Sequence, residues 1–215
     1  EDMMMEALKA IVDIDRDWVP SEPNTSLYIR PFLYGNDANL GVHAVHHSTF
    51  VIILSPVGSY YKEGLNPVKI MIEDQDVRAV RGGTGEAKCG GNYACGLKAQ
   101  MIAHDKGYEQ ILWLDGKEQK YVEEVGTSNA FFVIGDEVIT APLRGTILPG
   151  ITRDSCIHAL KAKGYKVSER LLSIDEICEA YDKGEFKEMF ASGTAAIISP
   201  VGELRYKDKV MEVNG

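Results

Sequence analysis

Lys88 stands between two groups of glycines in Arg81-Gly82-Gly83-Thr84-Gly85-Glu86-Ala87-Lys88-Cys89-Gly90-Gly91-Asn92-Tyr93. Glycine admits positive φ and lets backbone approach a ligand closely, so five glycines around one lysine predict a chain bent to present that amine inside a crowded cavity. Two chemistries suit such an amine. Desolvation or a neighbouring cation would leave part of it neutral and able to condense with a carbonyl group. Kept charged, it would serve as a cation for phosphate. The phosphate-loop pattern G-x-x-x-x-G-K-[ST] is absent, because Ala87 precedes the lysine and Cys89 follows it.

Further groups could complete a site. Glu123 and Glu124 adjoin on an expected strand, where alternation points them to opposite faces, so only one can serve one site. Alternation alone leaves that choice even, and a solvated strand-edge acid is the alternative for either. Gly150-Ile151-Thr152 precedes an expected helix, which would place the amides of Ile151 and Thr152 at an N-terminus that favours phosphate; ordinary capping by Thr152 is the alternative. Thr194 in Ser192-Gly193-Thr194-Ala195 adds a hydroxyl, a weak signal by itself. Arg78 is a candidate phosphate cation, with a salt-bridged or solvated arginine as the alternative. Tyr93 lies five residues after Lys88, though a core tyrosine with a satisfied hydroxyl is the commoner fate of that residue.

The segment Gly-Gly-Thr-Gly-Glu-Ala-Lys-Cys-Gly-Gly-Asn-Tyr resembles the lysine segment of branched-chain amino acid aminotransferases, which bind pyridoxal phosphate. Glu123-Glu124-Val125-Gly126-Thr127-Ser128-Asn129, Leu148-Pro149-Gly150-Ile151-Thr152-Arg153 and Ala191-Ser192-Gly193-Thr194-Ala195 resemble three more segments of that family, in the family's order. The resemblance implies the fold-type-IV large domain, of α/β class. It assigns Lys88 to a Schiff base with the cofactor, and Glu124 to the pyridine nitrogen. It assigns Tyr93 to the phenolate oxygen, and Ile151, Thr152 and Thr194 to the phosphate. The amides of Thr194 and Ala195 would receive the substrate carboxylate, Tyr28 would line the side-chain pocket, and Thr127 would lie beside the cofactor acid.

By the same resemblance the activity is transamination of leucine, isoleucine and valine with 2-oxoglutarate, in a cytoplasmic homodimer. A D-amino-acid aminotransferase or a pyridoxal-phosphate lyase of the same fold is the nearest alternative. A non-catalytic module that binds a phosphorylated ligand is the alternative from another class. Some relatives carry a C-x-x-C pair after Gly-Thr-Ala; here Ala196-Ile197-Ile198-Ser199 stands there, so thiol regulation through that pair is not expected. The family's phosphate-gripping arginine and N-terminal substrate residues would precede Glu1. The chain is therefore read as a piece of a longer enzyme, inactive by itself.

The elements that must position these groups follow from periodicity. At 215 residues one main domain is the economical reading, with residues 1–24 as a helix and linker and 25–215 as the cofactor domain. Met4, Leu8, Ile11 and Val12 predict an amphipathic helix ending before Pro20. Strands are predicted near 27–34, 49–57, 68–72, 111–115, 121–125, 130–134, 138–141, 165–171, 187–191, 196–201 and 208–213. Helices are predicted over 92–106, closed near Gly107, over 151–163, and over 174–182 with Ser173 and Glu176 as a capping box. Interleaved helices and strands of this kind predict a mixed sheet able to curl into a barrel with flanking helices.

Composition narrows the partners. With 23 Lys+Arg against 32 Asp+Glu, a net charge of −9 and no basic stripe, a nucleic-acid surface is not expected. The four cysteines form no C-x-x-C pair and no zinc spacing, so neither a disulfide framework nor a metal is indicated and a reducing compartment fits. No segment reads as a membrane span, and the start lacks the basic region of a signal peptide.

Overall fold

The computed structural model describes residues 1–58, 66–194 and 197–214. The chain divides into two compact units, Glu1–Gly64 and Leu65–Gly215, so the division falls well past the linker expected at 21–24. The reason is pairing within the first unit. Strands β1 (Ser26–Gly35) and β2 (Ser48–Val57) form an antiparallel hairpin in register from Ser26↔Val57 to Gly35↔Ser48. Helix α1 (Asp2–Ile14) contacts β2. It half-buries Leu8, Ile11 and Val12 and ends earlier than periodicity suggests. A 3-10 turn at Arg16–Trp18 follows, and Val19 is already extended (ψ 114°), as the residue before Pro20 must be.

The second unit opens with β3 (Val68–Glu73), the short helix α2 (Gly90–Ala94) and helix α3 (Leu97–Asp105). There follow β4 (Gln110–Leu114), β5 (Val122–Val125), β6 (Ser128–Ile134), β7 (Glu137–Thr140), α4 (Ile151–Ala162), β8 (Lys166–Glu169) and α5 (Ile174–Asp182). The unit ends with β9 (Phe186–Gly193), β10 (Ile197–Tyr206) and β11 (Lys209–Glu212). Strand pairing closes on itself: β10 pairs β3, β3 pairs β4, β4 pairs β5, β5 pairs β6, β6 pairs β9, and β9 pairs β10 again. The predicted mixed sheet is thus a closed six-stranded barrel, with β11 added to β10 and β7–β8 extending from β6. Closure leaves the ring strands without free edges.

Two clusters place the helices. Met71, Ile111 and Trp113 pack with Ala99, Ala103 and Tyr108, which seats α3 on β3 and β4. Phe131, Val138 and Ile157, with Val133, Cys156, Leu160, Val167 and Phe190 around them, seat α4 on β6, β7 and β8. The stripe Leu97, Met101 and Ile102 that signalled a helix is its exposed side, at 57%, 67% and 40%. The fully buried residues are Ala99 and Ala103, one turn apart, because the helix lies close against Trp113 and Tyr108 and leaves room for little more than a methyl group.

The single helix expected over 92–106 is two. It breaks at Cys95–Gly96, where a Cβ on Gly96 would sit 3.0 Å from Trp113. Gly107, with φ +83°, follows α3 as expected. The Ser173 side chain caps α5, accepting from the Glu176 amide at 3.1 Å. The Glu176 carboxylate is taken by Arg170.

Candidate functional site

β5 supplies the central acid. Glu124 is opposite Asn129 in the β5–β6 register and shares its face, whereas Glu123 shares the other face with Val125, which pairs Leu112. The alternative of a solvated strand-edge acid holds for neither: Glu123 is 7% exposed and Glu124 3%. Only Glu124 reaches the cavity lined also by Arg78, Ala87, Asn92, Tyr93, Gly126, Thr127 and Leu148.

Four contacts hold that region. Arg78 Nη2 pairs with Glu124 Oε2 at 2.6 Å, the Leu148 amide donates to Oε1 at 2.9 Å, and Asn129 Nδ2 donates to Oε1 at 3.2 Å and to the Leu148 carbonyl at 3.0 Å. Burial penalises the carboxylate and pushes the Glu124 carboxyl up to about 7, while the Arg78 charge and the Leu148 amide pull the other way. Burial also raises the Glu123 carboxyl, one of whose oxygens has no hydrogen-bond partner. Arg78 is therefore not a free phosphate cation. It is the buried partner of the acid, and its Nη2 also donates to the Gly85 carbonyl at 3.1 Å, tying the acid to the glycine-rich segment.

That segment runs as turns over 81–86. Two glycines have evident reasons to be there. Gly82 has φ +83°, and a Cβ on Gly85 would run into the Thr146 carbonyl and Ala79. The expectation that Lys88 is enclosed is not met: Lys88 is exposed, and Ala87 lines the cavity in its place. The cause is a turn in which the Ala87 amide donates to the Thr84 carbonyl at 2.9 Å, while Asn92 binds the carbonyls of Thr84 and Ala87 from α2. Among the described residues no carboxylate pairs with Lys88. Tyr93, next to Asn92, is 39% exposed and lines the cavity, so it is not a core tyrosine.

The start of α4 is brought to the same place. Gly150 is its N-cap, with no side chain capping the helix, so Thr152 is not the cap. A Cβ on Gly150 would strike Asn129 Oδ1, so glycine lets the helix start approach the residue that binds Glu124. Ile151 is 78% exposed and Thr152 half-buried, with the first amides of the helix uncapped. Arg153 instead turns inward to the Ala141 carbonyl and Glu169, both at 2.8 Å. Thr127 is exposed at the cavity, and Thr194 is exposed at the end of β9. Ala195 lies outside the described residues. Tyr28 belongs to the first unit, where its hydroxyl accepts from Arg30 at 2.8 Å.

The donor set can be tested against a pyridine ring bearing an aldehyde and a phosphate. A buried carboxylate held by three partners fits a ring N–H, and an uncapped helix start fits a phosphate. A tyrosine hydroxyl at the cavity fits an oxyanion, and a nearby lysine fits the aldehyde, so the residues present suit the group. Sequence reasoning passed over Asn129 and Asn92. The first could have been sought as the cross-strand neighbour of an acid; for the second no signal pointed to a role beyond its place in the motif.

The family model described as amino-transferase class IV matches residues 1–204. A Bacillus subtilis branched-chain-amino-acid aminotransferase is 55% identical over 214 residues, covering 100% of this chain and 59% of that protein. The crystal structure of an Escherichia coli branched-chain amino acid aminotransferase superposes with a TM-score of 0.80 at 29% identity, covering 99% of this chain and 66% of that one. The pyridoxal-phosphate form of a Thermobaculum terrenum branched-chain amino acid aminotransferase gives 0.72 at 27% identity, over 91% and 61%. The chain spans about three-fifths of the length of the curated relatives it matches.

Proposed function

This chain belongs to the class IV amino-transferases, and from that membership we propose that it carries the pyridoxal-phosphate site of a branched-chain L-amino acid aminotransferase using 2-oxoglutarate as amino acceptor. The observation that carries the reading is Glu124: a buried carboxylate held by Arg78, Leu148 and Asn129, open to a cavity that Tyr93 and the lysine segment also border.

Bound pyridoxal phosphate supplies an aldehyde that condenses with amines and a ring that withdraws electrons from the substrate α-carbon. Lys88 provides the amine that holds it. When free and neutral, the Lys88 amine would be the base that carries a proton from the substrate α-carbon to the former aldehyde carbon of the cofactor. Glu124 faces the ring nitrogen, where an adjacent cationic N–H favours the ionised carboxylate against the penalty of burial. Tyr93 donates its O–H to the phenolate oxygen. The amides of Ile151 and Thr152 at the start of α4 take the phosphate, with the Thr194 hydroxyl beside it. Thr127 and the Thr194 amide are assigned to substrate. By resemblance to the family we read the working form as a cytoplasmic homodimer. Among the described residues no helix is long and apolar enough to cross a membrane.

The test is spectroscopic. Pyridoxal phosphate is added to the chain and to Lys88→Ala, the mixtures are reduced with borohydride, and the adduct is mapped by peptide mass. A covalent adduct on Lys88, absent from the variant, is expected. In the full-length enzyme L-leucine, but not D-alanine, should deplete it when added before reduction. An adduct spread over surface lysines, or reaction with D-alanine alone, would remove the branched-chain reading.

A further inference from the structure

Asn92 commits both of its N–H groups and one acceptor site to one turn. Its Nδ2 donates to the Thr84 carbonyl at 2.6 Å and to the Ala87 carbonyl at 2.8 Å, and its Oδ1 accepts from Thr84 Oγ1 at 2.7 Å. Both N–H groups and the oxygen are engaged, and the two carbonyls fix which end is which, because a flipped amide would set oxygen against oxygen. The turn so held ends at Ala87, and Lys88 is the next residue. Within the glycine-rich segment the backbone makes few bonds of its own, Gly83 to Val80 at 2.9 Å and Ala87 to Thr84 at 2.9 Å.

Asn92 sits on a base that is itself fixed to the barrel. Two residues after α2, Gly96 lies against Trp113 of β4, and Cys95 Sγ donates to the Arg78 carbonyl at 3.4 Å. Arg78 in turn pairs with Glu124 and donates to the Gly85 carbonyl. The segment that carries Lys88 is thus tied at Gly85 by the partner of the acid and at Thr84 and Ala87 by Asn92. A side chain four residues beyond the lysine transmits the position of the barrel wall to the residue just before it.

We propose that Asn92 is a positioning residue for Lys88, which fixes where the lysine leaves its turn and so where its amine meets a carbonyl compound in the cavity. The proposal rests on the reading that Lys88 holds pyridoxal phosphate. Asp at this position presents two carbonyls with an acceptor, so a near-isosteric replacement loses the clamp as Ala does. Thr84→Val removes only one of the three bonds.

The experiment uses the 215-residue chain with Asn92→Ala, Asn92→Asp and Thr84→Val. The Lys88 amine condenses with the aldehyde of pyridoxal phosphate, releasing water, and borohydride reduces the resulting C=N bond to a secondary amine. The initial rate of this adduct at Lys88, relative to that at the other lysines, is one readout. Hydrogen exchange at the Ala87 amide without cofactor is the other, and the unfolding midpoint reports folding. Asn92→Ala and Asn92→Asp should each slow the Lys88 adduct and speed Ala87 exchange by about tenfold, with Thr84→Val intermediate and the midpoint little changed. An adduct on Lys88 formed equally fast in the wild type and both Asn92 variants would overturn the proposal alone. Absence of any preferred adduct at Lys88 in the wild type would overturn the cofactor reading, and this role of Asn92 with it. Should Asn92→Ala fail to fold, Asn92→Asp and Thr84→Val carry the same comparison.

Discussion

Arg78→Met should destabilise the chain far more at alkaline than at acid pH. Arg78 and Glu124 are buried together, 2.6 Å apart, with side chains 6% and 4% exposed. Burial already lifts the Glu124 carboxyl from 4.5 to about 7 despite the guanidinium. A raised carboxyl binds a proton in the folded chain that the unfolded chain has released. Its contribution is therefore fully present below the unfolded value and is lost as pH rises through the folded one. For the wild type that loss amounts to about 3 kcal/mol. An opposite charge at this distance lowers a carboxyl by about 1–3 units, so removing it should lift Glu124 by a similar amount. Near pH 5 Glu124 is protonated in both proteins, and the variant loses chiefly the bond to the Gly85 carbonyl. At about pH 8.5 the wild type carries an ion pair while the variant must keep its acid neutral, an added cost of about 2 kcal/mol. Urea unfolding of wild type, Arg78→Met and Arg78→Met/Glu124→Gln at both pH values measures this. The gap between wild type and single variant should widen by that amount at the higher pH, and the double variant should be largely insensitive. A gap equal at the two values, or larger in acid, would show that Arg78 does not act on the charge of Glu124.

Three further outcomes follow from the packing. Gly85→Ala would place a Cβ against the Thr146 carbonyl and 2.7 Å from Ala79, backbone and core atoms that cannot swing aside; a loss of about 1–3 kcal/mol in chemical unfolding is expected, with weaker capture of pyridoxal phosphate at Lys88. Gly150→Ala would displace Asn129, which binds both Glu124 and the Leu148 carbonyl; titration calorimetry with pyridoxal phosphate should show affinity lower by about tenfold, and an unchanged affinity would separate the start of α4 from the site. Ser173→Ala removes the side-chain cap of α5, whose Oγ accepts from the Glu176 amide; about 1 kcal/mol should be lost in thermal unfolding with cofactor binding untouched.

Most elements, and the residue types that could form a site, were legible in the amino-acid sequence. Strand alternation and helix spacing are local properties, so the strands of the second unit and helices α4 and α5 stood close to where they were expected. The glycine-framed lysine, the Glu-Glu pair and Gly-Ile-Thr before a helix each named a group by residue type and spacing. Only the tertiary structure decided which groups meet. That β9 bridges β6 and β10 and closes the ring is a matter of pairing between distant segments, which no local period encodes. Alternation left Glu123 and Glu124 equal; cross-strand register with Asn129 and the buried approach of Arg78 separated them. Arg78 could be a cation for a ligand or a salt-bridged arginine as far as residue type went; burial beside Glu124 makes it the second. Lys88, framed as though enclosed, is exposed because Asn92 and the Thr84–Ala87 turn set the direction of the chain there. Residue types fix what a group can donate, accept or titrate, whereas its partners, its burial and therefore its charge state belong to the folded neighbourhood.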